Sequence, residues 1–141
     1  MNNRRAAAAI VLAGVLASCA RAGTGEAPGP QPARVEHHRV VLTADAMRRL
    51  GIRTVPVTRA TVPGSHRDRT TIPYAAVIYR PDGSTWAYTV VGRREFARAR
   101  IQIDHITGKV AVLTAGPRPG TPVVTVGGAE LYGIEVGVAE E

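Results

Sequence analysis

From Ile72 onward, apolar and polar residues alternate in short runs closed by glycine, proline or an Asp-Gly pair, and this two-residue period predicts β-strands. Ile72-Pro73 leads into an expected strand over residues 75–79. Arg80-Pro81-Asp82-Gly83-Ser84 supplies turn chemistry before the next run. Residues 85–91 place Trp86, Tyr88 and Val90 on one face. After a turn at Gly92-Arg93, residues 95–103 turn Ala97, Ala99, Ile101 and Ile103 one way, and Phe96, Arg98 and Arg100, with Arg94 in line, the other. Thr107-Gly108 turns the chain into a strand at 110–113. A rigid loop at 116–120 precedes a buried-looking strand at 123–126, which Gly127-Gly128 breaks. Ile134, Val136 and Val138 form a last alternating face, read as a strand.

The stretch before Ile72 is less regular. Residues 35–42 read as one strand, which sends the imidazoles of His37 and His38 to opposite faces. A short helix follows. Thr43 caps it, Asp45 favours its positive end, Leu42 and Met47 hold staple positions, Arg48 and Arg49 occupy the last turn and Gly51 ends it. Residues 52–57 are extended, and polar residues 58–71 read as a loop. Turns at roughly 8–12-residue spacing predict an all-β fold: a small antiparallel β-roll or barrel-like domain with one short helix, over residues 35–141.

The N-terminus has another pattern. Arg4 and Arg5 precede an uncharged run of 11 residues, 6–16, too short for a bilayer span of roughly 20 residues and suited to an export signal. It ends in Leu16-Ala17-Ser18-Cys19, which resembles a bacterial lipoprotein box. The sole cysteine of the chain stands where such a signal is cleaved and lipidated. Residues 1–18 are therefore expected to be a lipoprotein signal peptide, with Cys19 the lipidation site. Residues 19–34, rich in Gly, Pro and small residues, are expected to be a flexible linker.

Composition narrows the choice. With 141 residues there is chain for one domain. One cysteine excludes a disulfide framework and a cysteine-based zinc site. Loss of the signal peptide lowers the net charge from +7 to +5, because Arg4 and Arg5 leave with it. Export and the lack of an aromatic–basic module argue against nucleic acid as a partner.

Four segments run in a recognisable order: Ile72-Pro73-x-x-Ala76-Val77-Ile78, Trp86-Ala87-Tyr88-Thr89-Val90-Val91, Phe96 with Ile101, and Gly120-Thr121-Pro122-Val123-Val124-x-x-Gly127. Together they resemble the membrane-proximal domain of periplasmic adaptor subunits (membrane fusion proteins) of resistance-nodulation-division efflux pumps. Thr121 stands where the family pattern has Asp, and the stretch from Val40 to Ile52 also resembles one found early in such adaptors. Full adaptors insert a lipoyl-like domain and a helical hairpin where this chain has 19 residues between Ile52 and Ile72, and no long heptad pattern is present. The resemblance thus implies an adaptor shortened to its membrane-proximal piece.

No nucleophile elbow, zinc-protease motif or phosphate-binding loop occurs, and no acid–base pair converges, so the expected function is non-enzymatic and no cofactor is expected. The candidate partner contact is the strand face with Arg94, Phe96, Arg98 and Arg100, since arginine with an aromatic residue is enriched at interface hot spots. The expected partners are an inner-membrane efflux transporter or a full-length adaptor, with the membrane held through the lipid on the periplasmic side of the envelope. The alternative is a free-standing periplasmic lipoprotein that binds a small ligand or metal through His37 or His38, although no metal site is assigned.

Overall fold

The structure, a computed structural model, describes residues 31–139. The expected signal peptide, Cys19 and most of the expected linker lie outside those residues. The chain folds as an antiparallel, curled sheet of 10 strands with two helices, in agreement with the expected all-β, barrel-like class.

β1 (Ala33–Glu36) and β2 (Arg39–Leu42) form a hairpin, so the single strand expected over 35–42 is in fact two. β1 begins inside the segment expected as linker. His37 and His38 make the two-residue turn, both with positive φ, at 48° and 63°. The left-handed pair matches the twist of an antiparallel hairpin. It puts both imidazoles at the turn and not on opposite faces of a strand.

α1 (Ala44–Leu50) is the expected helix. The Thr43 hydroxyl accepts from the Ala46 N–H at 3.2 Å, and Gly51 closes the helix at φ 59°. β3 (Arg53–Pro56) follows. Residues 58–71, expected as a loop, instead carry β4 (Thr58–Thr61) and the start of β5 (Asp68–Pro73), paired from Thr58↔Thr71 to Thr61↔Asp68. β4 is exposed along its whole length, so no apolar alternation marked it.

Tyr74–Ala76 forms a 3-10 turn, not the strand expected over 75–79, and within that span only β6 (Ile78–Tyr79) pairs as a strand. β7 (Thr85–Gly92) and β8 (Glu95–Thr107) make the central hairpin, turning at Arg93-Arg94 and not at Gly92-Arg93. Gly92 remains in the ladder opposite Glu95, and Arg94 takes a left-handed conformation at φ 61°. Arg94 is therefore not in line with Phe96, Arg98 and Arg100. Between Gln102 and His105 two register shifts bend β8 away from β7 and onto β9 (Val110–Ala115).

β10 (Pro122–Val126) pairs with β3 and β7. The last stretch, expected as a strand, is α2 (Gly128–Ala139). Leu131, Ile134 and Glu135 have the i, i+3, i+4 spacing of one helical face. Leu131 and Glu135 are buried and Ile134 is half-buried.

The sheet has a core on each side. Inside the roll, Val57, Ile72, Ala87, Ile101, Leu113 and Val123 pack together. On the outer side, Val40, Leu42, Tyr88, Phe96, Val124 and Leu131 pack under α1 and α2. Neighbours Ala87 and Tyr88, and likewise Val123 and Val124, divide between the two, as strand alternation requires.

Candidate functional site

The outer face of the β7–β8 hairpin is set by cross-strand partners: Val90 with Phe96, Tyr88 with Arg98, and Trp86 with Arg100. The three pairs grade along the strands. Phe96 is 1% exposed and belongs to the outer core, beside half-buried Val90. Arg100, at the other end, is exposed beside half-buried Trp86. Between them lies an ionic step that α2 completes.

Glu135 of α2 is 5% exposed. Its Oε2 accepts from the Tyr88 hydroxyl at 2.5 Å, and its Oε1 lies 2.9 Å from Arg98 Nη2. The Arg98 guanidinium stands 5.1 Å from the centre of the Trp86 ring and 5.9 Å from that of Tyr132. Its buried Nη1 has no acceptor among the described residues, and the aromatic faces, negative at their centres, stand beside the cation instead.

On the outer edge, Trp86 Nε1–H donates to Ser84 Oγ at 2.7 Å, and Ser84 Oγ–H donates to Asp82 Oδ1 at 2.5 Å. Arg80 pairs with Asp82 at 3.3 Å and lies 6.0 Å from the Trp86 ring. Hydrogen bonds from the Ser84 side chain and backbone hold the Asp82 carboxyl below its ordinary range. The turn that the sequence marked at 80–84 thus fixes the tryptophan's polar edge.

Of the four candidate contact residues, Phe96 is core, Arg98 is half-buried in the ionic step, and Arg94 sits at the hairpin turn. Only Arg100 stands exposed on the strand face. Glu135 and Tyr132 did not figure in the expected site. Their helical spacing was the available signal, obscured by the alternation of Ile134, Val136 and Val138 and by the helix-weakening Gly133 and Gly137.

The histidines are dispersed. His37 and His38 form their turn, His66 is in the β4–β5 connection, and His105 Nδ1 is 3.1 Å from Asp104 Oδ2. Hydrogen bonds from His105 and Arg69 hold the Asp104 carboxyl below its ordinary range. Among the described residues, no group of three or more His, Cys, Asp or Glu is placed to hold a metal ion.

Burial, and then the bond to the Glu135 carboxylate, push the Tyr88 hydroxyl well above its ordinary titration range. Folding therefore favours the protonated tyrosine. This contribution is complete below about pH 10, where the unfolded chain also keeps the proton, and falls by about 1.4 kcal/mol per pH unit above it. Tyr88→Phe should lack that slope in urea unfolding between about pH 9 and 11. Equal slopes in the two proteins would contradict the buried hydroxyl.

In chemical terms the arrangement is a buried ionic step rimmed by aromatic and cationic side chains. Its buried carboxylate is committed to two partners, while Trp86, Arg100 and the rim of Arg98 present aromatic and cationic groups to the outside. No family model matches the chain, and no curated protein matches it. Among solved structures, the chain is similar to an NMR structure of the N-terminal metal-binding site and membrane-proximal domain of SilB from Cupriavidus metallidurans CH34. The two are 23% identical with a TM-score of 0.45, over 56% of this chain and 42% of that one.

Proposed function

We propose that this chain is a non-enzymatic envelope lipoprotein that serves as an accessory or shortened periplasmic adaptor of an efflux transporter, working by binding and positioning other proteins. The observation that carries the reading is the placement of the adaptor-like segments within one antiparallel roll. Ile72-Pro73 closes β5, residues 86–91 lie in β7, Phe96 and Ile101 lie in β8, and Val123-Val124 lie in β10. Gly120 and Gly127, which bracket the last segment, adopt φ of 90° and 91°, a conformation that glycine enters without a Cβ penalty.

Cys19 is the proposed anchor, and the proposed partner is an inner-membrane transporter or a full-length adaptor. Arg100, Trp86 and the rim of Arg98 form the proposed contact, since they keep the arginine–aromatic composition of the expected face and remain accessible.

Envelope fractionation and affinity purification from detergent-solubilised membranes test both parts. Cys19→Ala should move the protein to the soluble fraction, and retention at the membrane would remove the anchor. Arg100→Glu should weaken transporter co-purification by about tenfold, a loss of about 1.4 kcal/mol, with an unchanged melting temperature. Undiminished co-purification would remove the contact.

A further inference from the structure

We infer that the corner of the domain where the N-terminal segment enters is an electrostatic seat for an anionic membrane surface, formed by Arg49, Arg93 and Arg94. The inference rests on the lipid-anchor reading above, which sets this corner toward the bilayer.

Three elements meet there. Thr43 N–H donates to the Pro32 carbonyl at 3.0 Å and pins the entering chain to the start of α1. Leu42 N–H donates to the Arg94 carbonyl at 3.0 Å and draws the β7–β8 turn to the same corner. A cavity of about 360 Å³ is lined by Gln31, Arg34, Thr43 and Arg94, and an apolar groove of about 220 Å³ by Pro32, Ala33, Arg49 and Leu50. The chain thus enters between Arg94 on one side and Arg49 on the other, with Arg93 beside Arg94 in the turn.

The charge at this corner is unbalanced. Its carboxylates are committed: Glu36 to Arg34, Glu95 to Arg39 and Asp45 to Arg48. Arg49, Arg93 and Arg94 are exposed and make no ion pair among the described residues. Arg94 also holds a left-handed backbone conformation, at φ 61°, that a β-carbon disfavours. Three like charges without counter-charges suit a surface that supplies many negative ones.

Geometry singles out the membrane over an acidic protein. Cys19 lies 12 residues before Gln31 in the sequence. At no more than about 3.3–3.6 Å per residue, 12 residues cannot carry this corner farther than about 40 Å from Cys19. An acylated Cys19 therefore leaves this corner able to reach the headgroups, where the surface potential acts over a Debye length of about 8–10 Å. Each basic side chain near an anionic surface strengthens attachment about fivefold. The seat would orient the domain, with the acyl chains supplying the durable hold.

Vesicle flotation of the full chain carrying Cys19→Ala tests this without any lipid on the protein. Attraction by the apolar run 6–16 is common to neutral and anionic vesicles, so the ratio of the two affinities isolates the charge effect. At about 50 mM salt, phosphatidylglycerol-containing vesicles should bind at least tenfold tighter than phosphatidylcholine alone, and the ratio should fall below about twofold at 500 mM. Arg49→Gln/Arg93→Gln/Arg94→Gln should lose most of the preference, whereas Arg→Lys changes at the same positions should keep it. Arg59→Gln/Arg67→Gln/Lys109→Gln removes the same net charge from exposed positions elsewhere and should also keep it. Equal loss in the two Gln triples, or no preference in the parent, overturns the seat, and so does binding to a polyglutamate peptide without vesicle preference. Because this protein has no Cys19, failure here is distinct from failure of the anchor, which fractionation reads separately.

Discussion

Glu135→Gln should destabilise the domain by about 3 kcal/mol, the low end for breaking a buried ion pair, because the Arg98 side chain is still 19% exposed. Gln keeps the size of the side chain and an acceptor for Tyr88, so the loss falls on the pairing with Arg98. Against a typical total of about 5–15 kcal/mol, this removes a large share of the stability and should lower the melting temperature by 10 °C or more. Arg98→Met should cost a similar amount by stranding the carboxylate. The double variant Arg98→Met/Glu135→Gln should lose less than the sum of the two single losses, because it removes both charges of the pair together and keeps an acceptor for Tyr88. Urea unfolding of the four proteins gives the coupling directly, and additive losses would show that the pair is not coupled.

The consequence for function runs through α2. This helix carries Gly133 and Gly137 together with β-branched Ile134 and Val136, which gives it weak intrinsic helical preference. Packing against β1 and β2, with Leu131 in the outer core, and the Glu135 contacts to the β7–β8 hairpin therefore hold it in place. Tyr132 comes with the helix and brackets Arg98 against Trp86. Loss of the ion pair should loosen the packing of Arg98 between Trp86 and Tyr132 as well as the fold.

What could be read in the chain follows the range of the interactions involved. α1 was fully legible because its signals are local: the Thr43 cap, Asp45 in the first turn, the two arginines in the last and Gly51 at the end. The β7–β8 hairpin was legible because both strands alternate cleanly. Its turn was displaced by one residue because the left-handed position fell on Arg94 while Gly92 stayed in the ladder. The His37-His38 turn carries no glycine or asparagine, so only the pairing of Glu36 with Arg39 defines it. β4 depends on partners up to 13 residues ahead, from Thr61↔Asp68 to Thr58↔Thr71, and its exposed Thr and Arg side chains show no core face. The ionic step needs Tyr88 and Glu135, 47 residues apart, and nothing local in either segment announces the other.

The same hairpin face yields a second large effect. Phe96→Ala should destabilise the domain by about 3–5 kcal/mol, as removal of a fully buried ring leaves a cavity that the surroundings only partly fill. Phe96 is paired with Val40 of β2 on one side and Val90 of β7 on the other, and it shares a cluster with Leu42, Val124 and Leu131. Three strands and α2 therefore feel the loss. Arg100→Glu, four residues along the same face, should change stability by no more than about 0.5 kcal/mol, because Arg100 is exposed and makes no ion pair among the described residues. The contrast separates two roles within an arginine–aromatic face that the alternation pattern treats as one: Phe96 holds the domain together, and Arg100 is available to a partner. Parallel thermal melts of the two variants decide it. A Phe96→Ala protein that melts with the parent yet loses partner binding would return Phe96 to the surface and contradict the burial of the hairpin beneath α2.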